Sequence, residues 1–197
     1  MKKIIAFIIT LISFSGAFAQ NSFEGKVVLK AENTATGEVS AITWYMKNGQ
    51  HLLNYVNTAP KLNSTYSLVS TGGKLEMVNE KGRLEIPAAS IKNADYNFSQ
   101  YKLLNKEGGK VVNEFECIKY TIESGDKIAE YWITDYKGLS PADFPAFMSS
   151  GLVPVAEKLQ AGDVPVQIKV SERNGKMLYQ QTISYIMPCK VDDAKFK

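Results

Sequence analysis

Few side chains in this sequence could carry catalytic or metal chemistry. Its 197 residues include one histidine, His51, and two cysteines, Cys117 and Cys189. A histidine-based metal centre needs at least two histidines, and a cysteine nucleophile needs a nearby base, for which only His51 is available. No serine-hydrolase, zinc-protease, P-loop or dinucleotide-binding motif occurs. We therefore expect no catalytic residue, no metal and no cofactor, and a packing or surface role for His51.

Carboxylates are the remaining candidates for acid–base chemistry. Four of them fall on or near one predicted hairpin: Glu114, Glu116, Glu123 and Glu130. A suitably spaced carboxylate pair can act as acid and base, as in glycoside hydrolysis. Glutamates that alternate along a strand also form its solvated face, and we favour that interpretation over an enzyme.

The N-terminus has the features of a secretory signal peptide. Lys2 and Lys3 precede an apolar run from Ile4 to Phe14, and Ala17-Phe18-Ala19 supplies a small-residue cleavage site after Ala19. The apolar run is too short for a membrane anchor, and Gln20 stands where a lipoprotein has its cysteine. We expect a periplasmic or secreted protein without a transmembrane anchor.

Cleavage would divide the chain into a signal peptide, residues 1–19, and a single domain, residues 20–197. Loss of Lys2 and Lys3 lowers the formal net charge from +3 to +1, and the other charges are scattered singly. Such a surface gives no reason to expect a nucleic-acid partner.

Strand-like alternation dominates the mature sequence. About eleven short apolar–polar segments are separated by turn residues, which predicts a mainly β fold with minor α content. Asn48-Gly49 marks a type I′ hairpin, in which Lys47 pairs with Gln50, Met46 with His51 and, further out, Ile42 with Tyr55. We expect one large curved antiparallel sheet or unclosed half-barrel, with one or two short helices on its concave side.

The stretch from Asn113 to Met148 holds the main irregularities. A turn is predicted at Glu107-Gly108-Gly109, before the central hairpin. Apolar parity slips after Cys117, so either both faces of this hairpin are covered or a β-bulge lies near Cys117; we favour the bulge. After the hairpin, Ser140-Pro141-Ala142-Asp143 predicts a helix start, and a second short helix is predicted for residues 153–161.

Aromatic residues give the only indication of a ligand. The chain has ten tyrosines and nine phenylalanines, which suit a packed β core or a cavity between sheet and helix. In the cavity hypothesis, sheet residues line the space and helix residues cover it. The lining residues would be Trp44, Met46, Tyr55, Tyr120, Tyr131 and Trp132, and the covering residues Phe144, Phe147 and Met148.

The two cysteines leave two possibilities open. Export to an oxidising compartment would permit a disulfide between Cys117 and Cys189, tying the last strand to the central hairpin. Two free thiols are the alternative.

Several segments together resemble an exported domain-of-unknown-function family of Bacteroidetes, family 4412. They are FEGKV from Phe23, WYMKNGQ from Trp44, ECIKY from Glu116, AEYWIT from Ala129, GLSPADF from Gly138 and GDVPVQI from Gly162. That family is similar in fold to the bacterial lipoprotein carriers (LolA/LolB-like), an open antiparallel half-barrel plugged by helices. The resemblance implies a periplasmic binder of acyl chains or another apolar ligand.

Two functions follow as hypotheses. The first is a periplasmic binding or carrier protein for a lipophilic ligand, an acyl chain or lipid, held between sheet and helix. The alternative is a non-catalytic envelope protein that acts through contacts with another envelope protein.

Overall fold

The computed structural model describes residues 23–58, 64–72, 74–87, 101–139, 159 and 162–197. Eleven strands lie in these ranges, followed by a short 3₁₀ helix at Asp193–Phe196. The strands are β1 (Gly25–Asn33), β2 (Glu38–Lys47), β3 (Gln50–Thr58), β4 (Ser64–Thr71), β5 (Lys74–Asn79), β6 (Gly82–Glu85), β7 (Lys102–Val112), β8 (Phe115–Ser124), β9 (Lys127–Asp135), β10 (Asp163–Glu172) and β11 (Met177–Pro188).

All eleven strands form one antiparallel sheet in the order β6-β5-β4-β3-β2-β1-β11-β10-β9-β8-β7. The sheet consists of two meanders, β1–β6 and β7–β11, which are joined where the first strand pairs with the last. Strands β6 and β7 lie at its two edges, so the sheet is unclosed. This confirms the predicted fold class, while the predicted helices and the signal peptide lie outside the described residues.

Turn chemistry fixes the β2–β3 hairpin as predicted. Asn48 and Gly49 have φ angles of 49° and 71°, the positive values that a type I′ turn requires at both positions. Lys47 pairs with Gln50, and the register continues without interruption to Val39–Thr58. The predicted register is therefore confirmed, and it continues beyond Ile42–Tyr55 to the end of both strands.

The predicted turn at Glu107-Gly108-Gly109 is wrong. Strand β7 continues through both glycines, and the chain turns instead at Asn113-Glu114, where Asn113 has a φ of 53°. The glycines place an extra residue in β7, because Glu107 pairs with Lys119 but Lys110 already pairs with Cys117. Glycine tolerates the positive φ of Gly109 that this bulge uses.

The parity slip in β8 has a different cause from the one we favoured. Strand β8 pairs regularly with β9 from Ile118–Ile133 to Ser124–Lys127, so β8 has no extra residue there. Instead, both faces of the hairpin are buried: Cys117 belongs to one apolar cluster, and Tyr120 to another. The bulge near Cys117 exists, but it lies on the neighbouring strand β7.

Among the residues that the structure describes, three apolar clusters form the core, and each is defined by its buried members. Cluster 1 contains Phe23, Val27, Leu29, Ile42, Trp44, Met46, Leu53, Cys117, Trp132, Leu139, Val164, Val166 and Ile183. Cluster 2 contains Tyr120, Ile122, Ala129, Tyr131, Ile133 and Val170. Cluster 3 contains Leu52, Val69, Val191 and Phe196. The β1–β11 pair, rather than the β8–β9 hairpin, is therefore the centre of the sheet and of its largest cluster.

Candidate ligand-binding face

The structure distributes the six predicted cavity residues of the sheet between two clusters. Trp44, Met46 and Trp132 belong to cluster 1, and Tyr55 packs against it. Tyr120 and Tyr131 belong to cluster 2. Trp132 and Tyr131 are adjacent in β9 and therefore project from opposite faces. Phe144, Phe147 and Met148 lie outside the described residues.

Trp132, although part of apolar cluster 1, also has two cationic neighbours. The ammonium groups of Lys119 and Lys169 lie 5.4 Å and 4.9 Å from the Trp132 ring centroid, within cation–π range. Lys119 also pairs with Glu130. The strand register thus separates Trp132 from the tyrosines with which the sequence hypothesis grouped it.

His51 is part of the packed core. It is buried, and its Nδ1 accepts a hydrogen bond of 3.2 Å from Trp44 Nε1, which lies in cluster 1. The two rings lie 5.8 Å apart between centroids. This places His51 in the packing role that the sequence indicated.

A row of directly paired residues crosses seven strands on one face of the sheet. Paired residues project to the same face, and adjacent strands are about 4.8 Å apart, so the row extends over about 29 Å of sheet surface. Its members are Asn57, Ser40, Ala31, Gln181, Ile168, Tyr131 and Tyr120.

The sizes of the side chains in the middle of this row indicate a groove. Ser40 and Ala31 are small and only half-buried. On one side, the next row on the same face carries Tyr55, Ile42 and Leu29, and on the other it carries Glu38, Asn33 and Tyr179. Small side chains between rows of larger ones leave a trough, which we call the Ser40/Ala31 groove. One end of the groove lies at Asn57, and the other end opens towards cluster 2.

Tyrosine hydroxyls and amide groups collect at the Asn57 end. Tyr55 stacks on Tyr66 with ring centroids 4.7 Å apart and an interplanar angle of 7°. Burial, and then the proximity of Tyr66 and Tyr179, raises the pKa of Tyr55 above its usual value. Tyr179 belongs to β11, donates to Gln181 Oε1 over 2.8 Å and packs against cluster 2. Tyrosines from both meanders therefore flank the groove, with Tyr55 on one side and Tyr179 on the other.

Leu159 adds a covering side chain at the other end of the groove. It is the one described residue of the segment for which the second helix was predicted, and it packs against cluster 2. Leu159 therefore lies on the side of the sheet where Tyr131 and Tyr120 lie.

The four glutamates do not form a single cluster. Glu130 pairs with Lys119, and Glu123 pairs with Arg173. Glu114 and Glu116 line an open cleft of about 520 Å³ together with Asp135, Tyr136 and Tyr185, among others. Within the described ranges, no group of three His, Cys, Asp or Glu side chains is placed to hold a metal ion.

The cleft forms where two strands separate. Strand β10 pairs with β9 from Asp163 onward, but its pairing with β11 begins only at Gln167–Thr182. Asn113, in the β7–β8 turn, donates across to the Ile183 carbonyl over 2.7 Å. The cleft therefore lies between the end of β9, the start of β8 and the end of β11.

Of the two possibilities left open for the cysteines, the structure has the two free thiols. Cys117 is buried in cluster 1, whereas Cys189 lies beyond the end of β11 and packs against cluster 3. Burial raises the pKa of the Cys117 thiol to about 11. The two side chains belong to different parts of the core, because β11 pairs with β1 and β10 rather than with β8.

Sequence analysis missed the residues that shape the groove: Asn57, Ser40, Ala31 and Gln181. One pair could have been predicted, because counting outward from the Asn48-Gly49 turn beyond Ile42 and Tyr55 places Ser40 opposite Asn57. The rest of the groove depends on β1–β11 pairing, which joins residues about 150 positions apart and leaves no local pattern.

No family model and no curated protein matches this sequence, so membership of family 4412 stays a prediction. Solved structures show a shared fold. MucB, solved in complex with MucA(peri), superposes with a TM-score of 0.52 at 10% identity, covering 90% of this chain and 55% of that one. An uncharacterized conserved protein from Thermus thermophilus gives 0.50 at 12% identity, covering 90% and 85%. This chain thus spans about half the length of MucB.

Among the described residues, no helix is long and apolar enough to cross a bilayer.

Proposed function

We propose that this chain is an exported, non-catalytic binding or carrier protein for a lipophilic ligand that lies along the Ser40/Ala31 groove. The groove itself is the observation that carries the proposal. One flank of the groove is apolar and aromatic, and the other carries Glu38 and Asn33 beside Tyr179. The groove crosses the join between the two meanders and leads into cluster 2, against which Leu159 packs.

An apolar chain bound along the groove would gain useful affinity from its methylene groups. Each methylene group transferred from water into an apolar site contributes about 0.8 kcal/mol, so ten methylenes contribute about 8 kcal/mol before the cost of ordering the ligand.

The proposal assigns no catalytic role to the titratable side chains. Lys119 and Arg173 neutralise two of the four glutamates, and His51 is engaged with Trp44. Export, likewise a proposal, follows from the predicted signal peptide; the first residue of the mature protein, determined by N-terminal sequencing, should be Gln20.

A titration with a fluorescent acyl probe tests the groove. Ala31 lies in the groove, whereas Ala41 lies on the opposite face, where it is exposed. We expect Ala31→Phe to weaken probe binding at least tenfold, since the new ring fills the trough. The matched control, Ala41→Phe, should bind as the wild type does. Equal binding by both variants, each folded by circular dichroism, would exclude the groove as the site.

A protein partner is the second candidate function, and the cleft favours it. Glu114, Glu116 and Asp135 give the cleft a negative charge, and Tyr136 and Tyr185 add aromatic surface. MucB, with which this chain shares a fold, was solved bound to another protein chain. A pull-down from envelope extract with wild type and a Glu114→Lys/Glu116→Lys variant separates the two functions. A partner lost by the variant supports this candidate.

A further inference from the structure

One polar atom on the groove face has no partner. Asn57 is only 5% exposed, and its Oδ1 is buried without any hydrogen bond. A buried carbonyl oxygen without a donor is unfavourable, and such atoms are uncommon in folded proteins. An asparagine that served only to stabilise β3 would have both ends of its amide engaged.

The Asn57 side chain lies beside Tyr66. Burial raises the pKa of Tyr66, and the nearby Asn57 amide opposes that rise. The Asn57 oxygen is left as an unused acceptor at the end of the Ser40/Ala31 groove.

The surroundings favour a donor over an anion at this position. Glu38, in the flanking row, is close enough to raise the pKa of Tyr66 further. A ligand carboxylate would therefore meet a carboxylate and a carbonyl oxygen, which repel it. A neutral group with an N–H or O–H would satisfy the oxygen and keep its own desolvation cost low.

We propose that Asn57 Oδ1 is the polar anchor of the groove and that the ligand is an uncharged amphiphile whose head group donates a hydrogen bond, as a primary amide or hydroxyl does. The apolar tail then extends past Ser40 and Ala31 towards Ile168 and Tyr131. The oxygen is closed to solvent in the free chain, so the head group has to displace a neighbouring side chain to reach it. This inference rests on the proposed function, because it names the ligand class of the same groove.

Two matched ligands test the anchor. Lauramide and methyl laurate have the same chain and heads of similar size, but only lauramide has donors. In displacement of the fluorescent acyl probe, the wild type should prefer lauramide by about tenfold or more, the effect of one hydrogen bond to a buried acceptor. In Asn57→Leu the preference should fall by about that factor, with methyl laurate affinity retained. Asn54→Leu, on the opposite face of the same strand, should keep the wild-type preference.

The outcomes separate the anchor from the proposed function. If the wild type does not bind the probe at all, the groove is not a ligand site. If it binds the probe but takes both ligands equally, the anchor is wrong and the carrier function stands. Thermal stability gives an independent check: removing an unsatisfied acceptor should leave the Tm of Asn57→Leu unchanged or higher. A lower Tm with an unchanged ligand ratio would assign Asn57 a purely structural role. Should Asn57→Leu fail to fold, the wild-type ratio alone decides.

Discussion

The join between the two meanders can be tested at a single glycine. Gly25 begins β1, is buried and pairs with Pro188 on β11 and Met46 on β2. A Cβ atom placed on Gly25 would lie 2.4 Å from the Met187 carbonyl oxygen and 2.7 Å from the Phe23 ring. The backbone carbonyl cannot rotate away as a side chain can, so accommodating alanine requires β1 and β11 to move apart by about 1 Å at this point.

Overpacking of this kind typically costs about 1–3 kcal/mol. For a domain of this size, about 2 kcal/mol lowers the Tm by about 4–8 °C. Urea unfolding followed by circular dichroism should therefore show a lower free energy of unfolding for Gly25→Ala. Gly108→Ala is the matched control, because no atom lies within 4 Å of its Cβ position and no positive φ is involved. The control variant should have the wild-type free energy of unfolding or one higher by up to about 1 kcal/mol, because alanine reduces the conformational entropy of the unfolded chain. A Gly25→Ala protein within about 0.5 kcal/mol of the wild type would refute the close β1–β11 packing.

Three further predictions concern thiols, tyrosines and the core. Mass spectrometry without reduction should find two free thiols. Iodoacetamide at about pH 8 should modify half-buried Cys189 well before Cys117, because the raised pKa of the Cys117 thiol keeps it protonated. Burial raises the pKa of Tyr55 in the folded state, so the folded chain keeps the phenol proton at a pH where the unfolded chain has lost it. The free energy of unfolding should therefore fall above about pH 10. It should fall less in Tyr55→Phe. Trp44→Ala should lower the free energy of unfolding in urea by about 3–5 kcal/mol, because it empties a fully buried site and removes the hydrogen bond to His51 Nδ1. A loss below about 1 kcal/mol would contradict the assignment of Trp44 to the core.

Local chemistry was enough to predict most of the strands. Asn48-Gly49 determined a turn type, and the turn type determined a register that holds over the whole of β2 and β3. The same logic failed at Gly108-Gly109, because a glycine pair serves a bulge within a strand as well as it serves a turn. The sequence contains no local signal that separates the two, and the pairing of Lys110 with Cys117 decides between them.

Features that depend on distant pairing could not be predicted. The β1–β11 contact joins segments far apart in the sequence and brings Ala31 beside Gln181, which completes the groove. The alternation in β9 did place Trp132 opposite Tyr131, yet aromatic composition alone grouped them in one cavity. An unpartnered oxygen such as that of Asn57 is also invisible in a sequence, because the neighbours that leave it unpaired come from other strands.

Native mass spectrometry of the protein purified from its own cell envelope tests the central claim most directly. The groove should retain an amphiphile, so the intact protein should carry a lipid-sized mass that dissociates on denaturation, and the Ala31→Phe variant prepared in the same way should carry less of it than Ala41→Phe. Fragmentation of the released ligand should identify an uncharged head group with a hydroxyl or amide donor. A wild-type protein that is free of bound ligand and that also fails to bind the acyl probe in solution would contradict the carrier function.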